Sequence, residues 1–158
     1  MKVGAKKEVK EVTEESIEKT VKELADKPEV LDKAISQIEK NKLDGIAREE
    51  KVLEELVSKF GNKNVIREAL IRDVNGIPIK DVITNEARRI DFVVKEGDRI
   101  LRSIEVTSET APKTLQTAKE LRILEQAKDL GGAFIKDPNT GELIKFDENL
   151  VTDIRRLP

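Results

Sequence analysis

Residues 89–107 read RIDFVVKEGDRILRSIEVT and contain two runs of strand-forming residues. Residues 89–95 and residues 100–107 are rich in Ile and Val, which fit the pleated surface of a sheet. A short connection, Glu96-Gly97-Asp98, separates the runs, and connections of this length that contain Gly join antiparallel strands. The stretch therefore predicts a β-hairpin.

The segments before the hairpin predict a helix and a strand. Apolar residues recur with the helical period over residues 47–60, and Gly61-Asn62 ends the pattern. Residues 65–74 are rich in Ile and Val and are followed by Asn75-Gly76, a strong turn dipeptide. We therefore expect a helix that leads into a strand and a turn.

The segments after the hairpin predict a second helix and a terminal hairpin arm. Residues 111–130 have Pro112 in the first turn and Gly131-Gly132 beyond the end, the usual asymmetry of a helix start and stop. Strands are predicted at residues 133–135 and 143–146, joined by a turn over residues 137–141. The order is helix, three strands, helix and strand, which indicates a layered α/β domain with a mixed sheet.

The N-terminal region differs in composition from this domain. Residues 1–42 are dense in Glu and Lys, with a loose amphipathic helix over residues 12–24 and a second short helix that starts at Pro28. Asp44-Gly45 separates them from the next helix. We interpret residues 1–42 as a helical extension or linker and residues 43–158 as the α/β domain. A partner-binding or delivery element is the alternative for the extension.

Composition limits the possible chemistry. The 158 residues suffice for one modest core, and 30 Lys and Arg against 32 Asp and Glu give a formal net charge of -2. Neither Cys nor His is present, which excludes disulfides, thiolate nucleophiles, Ser-His-Asp triads and imidazole-ligated metals. The remaining side chains favour a hard cation with oxygen ligands. No apolar run of signal-peptide or membrane-spanning length is visible.

Two carboxylates interrupt the apolar runs of the hairpin, Asp91 on the first strand and Glu105 on the second. Burial of either charge alone would be costly, and two acids close together need a cation. A divalent metal would satisfy both. The alternative is a structural ion pair of Asp91 with a nearby Arg, with Glu105 on a solvated face; the candidates are Arg88, Arg89 and Arg102.

Further polar residues are predicted to face the same sheet. Glu49 lies three and seven residues before Val52 and Leu56, which places it on the inward stripe of the first helix. On the second helix, spacings of three and four residues align Lys113, Gln116 and Glu120. Three acids, the Thr107 hydroxyl, a Lys and a Gln near one sheet favour a metal site over surface decoration.

These motifs resemble a known family. Gly45-Ile-Ala-Arg-Glu49, Arg-Ile-Asp91 and Ile-Glu105-Val-Thr107 resemble the PD-(D/E)XK nuclease fold of restriction endonucleases and Holliday-junction resolvases, over residues 43–145. The stretches ARRIDFVV (87–94), SIEVTS (103–108) and TAPKTLQTAKE (110–120) look like the toxic C-terminal domains of contact-dependent growth inhibition and related polymorphic toxin systems. The resemblance implies a PD-(D/E)XK-like α-β-β-β-α-β core with an N-terminal helical extension.

The resemblance also implies roles for the site residues. Asp91, Glu105 and the main-chain carbonyl of Val106 would hold Mg²⁺, with Mn²⁺ or Zn²⁺ as alternatives, and Glu49 would complete the outer sphere. The Lys that the family carries two positions after the acid is Thr107 here, and we expect Lys113 to supply its charge. The expected catalytic set is Glu49, Asp91, Glu105, Thr107, Lys113 and Gln116.

The implied function is that of an antibacterial nuclease toxin. Such a domain is exported within a larger toxin, acts in the cytoplasm of the target cell on tRNA or DNA, with tRNA slightly favoured, and is neutralised by an immunity protein. We expect five basic residues to bind the substrate backbone, with ordinary surface pairing as the alternative for each: Arg88, Arg89, Arg102, Lys119 and Arg122. A non-catalytic module that binds nucleic acid or protein, and a housekeeping DNase, are the competing functions.

Overall fold

The computed structural model describes residues 19, 22–23, 25–147 and 149–158. This part of the chain forms a mixed α/β fold with a six-stranded sheet and two long helices. The helix predicted over residues 12–24 falls largely outside the described residues. Neither of the two helices is long and apolar enough to cross a membrane.

The first helix, α1, spans Pro28–Phe60 and has 33 residues. Its start at Pro28 and its end before Gly61 agree with the sequence prediction, but the predicted break at Asp44-Gly45 is wrong. A Gly inside a helix costs only about 1 kcal/mol relative to Ala, and a Lys40–Asp44 ion pair of 2.9 Å lies on the preceding turn. The proposed boundary between residues 42 and 43 lies within this helix, and the division into two domains stays a prediction.

The sheet has the strand order β1-β2-β3-β5-β4, with β6 paired to β3. The predicted hairpin is confirmed, because β2 and β3 pair antiparallel on either side of Gly97. Strand β3 pairs parallel with both β5 and β6, so the sheet is mixed. The strands are β1 Val65–Leu70, β2 Arg89–Glu96, β3 Arg99–Ser108, β4 Ala133–Lys136, β5 Leu143–Phe146 and β6 Asp153–Leu157.

The structure corrects three further element predictions. Strand β1 stops at Leu70, short of the predicted residue 74. The second helix, α2, spans Thr114–Ala127 and continues as a 3₁₀ turn over Lys128–Leu130, so it starts three residues later than predicted. Strand β6 was not predicted at all.

The two helices cover opposite faces of the sheet. Val52 and Leu56 of α1 pack against Phe92 and Ile104 on one face. The other face holds a larger cluster that includes residues of α2; among its members are Val93, Ile123, Leu124 and Phe146. Phe92 and Val93 are neighbours on β2 and belong to different clusters, as alternation along a strand requires. The fold is thus a three-layer α/β arrangement.

Candidate metal centre

Strands β2 and β3 separate beside the predicted site. Their pairing ends at Phe92 and Ile104, and from Ile104 onward β3 pairs with β6. The next residue on β2 is Asp91, and its Oδ2 accepts the main-chain N–H of Val106 at 2.8 Å. The Asp91 side chain therefore bridges the gap where the backbone ladder between β2 and β3 has ended.

Glu105 lies on β3 next to this gap and is buried, with 6% of its surface exposed. Its Oε1 accepts a hydrogen bond from Arg88 Nη2 at 3.2 Å, and its Oε2 accepts one from Lys113 Nζ at 3.1 Å. Lys113 Nζ also donates to Gln116 Oε1 at 3.3 Å. The structure thus brings Glu105, Lys113 and Gln116 together as predicted, and the alternative of a solvated Glu105 is wrong.

Asp91 lacks such compensation. The pKa of Asp91 is raised to about 7, first by burial and then by the nearby charges of Glu105 and Glu49, and the N–H of Val106 and the charge of Lys113 only partly oppose this rise. In the described part of the chain Asp91 forms no ion pair with any Arg. The structure therefore does not support the alternative of a structural Asp–Arg pair.

Glu49 approaches the two acids from α1. It is half-buried, and burial raises its pKa. Arg67 opposes that rise, whereas Glu68 and Glu105 add to it. The charges of Glu49 and Glu105 both act on Asp91, which lies next to the last β2–β3 pair, Phe92 and Ile104. Glu49, Asp91 and Glu105 thus form one electrostatically coupled set, which we call the acid gap.

The acid gap has the chemistry of a divalent-cation site with few protein ligands. Carboxylate oxygens are the donors that Mg²⁺ and Mn²⁺ prefer, and a cation would relieve the repulsion that raises the pKa of Asp91. No described residue donates a hydrogen bond to Asp91 Oδ1. Among the described residues, however, no group of three or more acids is close enough to hold a metal by itself. A cation at the acid gap would therefore take at most two carboxylates from the described residues and would need main-chain oxygen and water as further ligands.

Thr107 stands where the resembled family carries a Lys, and Lys113 is the residue that we expect to supply the missing charge. Thr107 is buried and lies two residues after Glu105, on the same side of β3. It carries no charge. The only side-chain ammonium that bonds to Glu105 in the described residues is that of Lys113, which lies at the N-terminal boundary of α2.

The structure gives Arg88 a different place from the one predicted. Arg88 is 4% exposed, and its guanidinium is ion-paired with Glu105 and Glu120. To contact the backbone of a substrate, this guanidinium would have to leave both acidic partners, so the structure does not support the predicted nucleic-acid contact, which stays a prediction. Its burial depends on partners from β3 and α2, which local sequence does not reveal.

The other four basic residues that were predicted to bind the backbone of the nucleic acid do not form one patch. Arg122 donates to both oxygens of Asp81 at 2.7 and 2.8 Å, and Lys119 pairs with Glu86 at 3.3 Å. Arg89 is exposed. Arg102 is also exposed, and its guanidinium lies 5.6 Å from the centre of the Phe60 ring, on the α1 side of the sheet. The Lys119–Glu86 pair agrees with the alternative of an ordinary surface ion pair, whereas Arg122 pairs with a buried carboxylate, that of Asp81.

A small pocket of about 40 Å³ adjoins Glu105 on the α2 side. Its walls include Arg88, Lys113 and Glu120, together with the C-terminal segment over residues 150–154. Thr152 belongs to that segment and was absent from the predicted site. No motif marks it, because only the tertiary fold brings it to α2.

Comparisons with protein-family models, with curated proteins and with solved structures find no match. The function must therefore be inferred from the site itself.

Proposed function

We propose that this chain is a metal-dependent phosphodiesterase that cleaves nucleic acid. The observation that carries the proposal is the acid gap, where the charges of Glu105 on β3 and Glu49 on α1 both raise the pKa of Asp91 beside the end of the β2–β3 pairing. Such buried acids are expensive unless a cation or a function accounts for them. The order of α1, β1, β2, β3, α2 and β4 is compatible with a PD-(D/E)XK-like core, which is part of the proposal.

In this proposal each residue has a defined task. A divalent cation, when bound, would activate water and stabilise negative charge on the phosphoryl group. Asp91, Glu105 and the carbonyl of Val106 would hold the cation. Glu49 would orient water at the edge of the site, and Lys113 would face the phosphate with its ammonium steadied by Gln116. Thr107 would offer a hydroxyl to a phosphate oxygen.

The biological setting is proposed from the family resemblance. It favours an antibacterial toxin domain, exported within a larger protein, that cleaves tRNA or DNA in the target cytoplasm and is blocked by an immunity protein. A housekeeping DNase would use the same chemistry. Arg89 and Arg102 are exposed and remain candidates for substrate contact, whereas Lys119 and Arg122 would first have to leave their acidic partners.

A specific observation favours one competing function. Glu105 already has two cationic partners, Arg88 and Lys113, and Thr107 stands where the family carries Lys. Both features would suit a catalytically inactive module that binds nucleic acid or protein through the same surface. The two functions differ in whether phosphodiester bonds are broken.

A cleavage assay tests the proposal. We expect the purified chain to degrade tRNA or plasmid DNA with Mg²⁺ or Mn²⁺ and not with EDTA. Asp91→Asn and Glu105→Gln keep the side-chain shapes and remove the proposed ligand charges, so each should lower the cleavage rate by more than about 100-fold, the upper end of losses seen for partners of metal ligands. Asp98→Asn, in the exposed β2–β3 turn, is the matched control and should cleave like the wild type.

Two outcomes would contradict the proposal. Cleavage that persists in EDTA, or in the Asp91→Asn/Glu105→Gln double variant, would exclude this metal centre. Binding of nucleic acid without cleavage under any divalent cation would favour the inactive module. Growth arrest on cytoplasmic expression, relieved by Asp91→Asn, would distinguish a toxin from a housekeeping enzyme.

A further inference from the structure

A ring of side-chain hydrogen bonds, closed through the main chain of β3, connects Glu105 with the C-terminal segment. Arg88 donates from Nη2 to Glu105 Oε1 at 3.2 Å and from Nε to Glu120 Oε1 at 2.9 Å. The hydroxyl of Thr152 donates to Glu120 Oε2 at 2.6 Å and lies 2.7 Å from Ser103 Oγ. Ser103 and Glu105 are two residues apart on β3, so the ring begins and ends on the same side of one strand.

The ring leaves its central guanidinium little freedom. Arg88 Nη1 donates to the main-chain oxygen of Arg89 at 2.8 Å, so all three nitrogens of the guanidinium are engaged. Glu120 is held as well, since each of its oxygens accepts one donor. A planar guanidinium transmits orientation better than a flexible ammonium. The position of Glu105 Oε1 therefore depends on Glu120, and through it on Thr152.

A purely structural ion pair would not need this arrangement. Arg88 and Glu120 already neutralise each other, yet the same guanidinium also reaches Glu105, whose other oxygen is held by Lys113. Ser103, Arg88 and Glu120 are nearly excluded from solvent. Donors around the ligands of a metal site commonly fix the ligands in this way.

We propose that Arg88, Glu120 and Thr152 are positioning residues that hold the carboxylate of Glu105 in place for cation binding. The part of this inference that concerns the cation rests on the proposed function. It assigns a role to the C-terminal segment, whose Thr152 closes the ring from outside the predicted core. It also replaces the nucleic-acid contact predicted for Arg88.

Substitutions at Thr152 test the inference at the ring position farthest from the acid gap. Thr152→Val keeps the shape and removes the hydroxyl, and Thr152→Ser restores a hydroxyl. Thr117→Val is the matched control, because Thr117 lines the same pocket and lies outside the ring. We expect Thr152→Val to weaken Mn²⁺ binding by about 10-fold, measured by calorimetry on the full chain, whereas the other two variants bind like the wild type.

An NMR measurement makes the test independent of the metal. We expect Thr152→Val, and not Thr152→Ser or Thr117→Val, to shift the Arg88 Nε–H signal and the ¹³C signal of the Glu105 carboxylate. Ser103→Ala opens the ring on the other side of Thr152 and should shift the same two signals by a smaller amount, which provides a second variant if Thr152→Val does not fold.

The outcomes separate the inference from the proposed function. Wild-type affinity of Thr152→Val for Mn²⁺, or an equal loss in Thr152→Ser, would overturn the positioning role. If the wild type binds no Mn²⁺, the proposed function fails, and the Glu105 signal decides the inference: a shift confined to Thr152→Val and Ser103→Ala supports positioning, and unchanged signals overturn it.

Discussion

Asp91 and Glu105 both belong to the acid gap, but their negative charges are compensated to different extents. Glu105 has a cation at each oxygen, Arg88 and Lys113. Asp91 has one main-chain N–H from Val106, and its pKa is raised to about 7. One acid is thus fixed by cations of the protein, and the other is left with unbalanced charge. The uncompensated negative charge of Asp91 is charge that a bound cation would balance.

The largest expected effect on stability comes from removal of the guanidinium of Arg88, which pairs with Glu105. Arg88→Met keeps much of the side-chain volume and leaves Glu105 and Glu120 buried with one fewer cation. Loss of one partner of a buried ionic cluster costs about 3–5 kcal/mol, and we expect that loss in the free energy of unfolding, measured in urea at neutral pH.

A surface ion pair provides the control for this measurement. Arg155 and Glu55 lie 2.7 Å apart, and both side chains are partly exposed. Arg155→Met should therefore cost less than about 1 kcal/mol. If Arg88→Met cost no more than Arg155→Met, the compensation of Glu105 by Arg88 would contribute little, and the contrast with Asp91 would disappear.

Substitution of Asp91 is expected to increase the free energy of unfolding, whereas substitution of Arg88 lowers it. Because its pKa is raised in the folded chain, folded Asp91 keeps a proton between about pH 4 and pH 7 that the unfolded chain has lost. The native state binds more protons in this range, so its stability falls as pH rises through it. Asp91→Asn keeps an oxygen acceptor for the N–H of Val106 and carries no charge. It should therefore be more stable than the wild type at pH 8, by up to about 4 kcal/mol, and similar to it near pH 4.

Urea unfolding in EDTA at several pH values measures this difference. Asp98→Asn, in the exposed turn, should show no comparable dependence on pH. A stability gain for Asp91→Asn that stays constant from pH 4 to pH 8 would mean that the pKa of Asp91 is not raised in the folded chain. In that case the two acids of the gap would be alike.

Local signals were sufficient for the elements that carry the two acids. Alternation in the stretch 89–107 predicts the hairpin and places Asp91 and Glu105 on neighbouring strands, and the structure has both features. The helical period before Val52 places Glu49 on the inward side of α1, where the charge of Glu105 raises the pKa of Glu49. These predictions succeed because the neighbours of each residue along the chain determine the face on which it lies.

The features that sequence reasoning missed depend on distant contacts. Strand β6 gains its partner from β3, almost fifty residues earlier, and its own composition is rich in Arg. Gly45 indicated a break, but the helix continues through it, because a Gly inside a helix costs only about 1 kcal/mol relative to Ala. The burial of Arg88 follows from Glu105 and Glu120, which belong to different elements. No local pattern could reveal that burial.

The smallest effect expected concerns the third acid. Glu49→Gln removes a charge that raises the pKa of Asp91, so that pKa should fall, while burial keeps it above the ordinary value for Asp. Because Glu49 is only half-buried, the change in unfolding free energy should stay below about 1 kcal/mol. A ¹³C NMR titration of the Asp91 carboxyl measures the shift, with Glu54→Gln on the exposed side of α1 as the control. Equal titration of Asp91 in the two variants would remove Glu49 from the acid gap and leave Glu105 as the only acid that acts on Asp91 there.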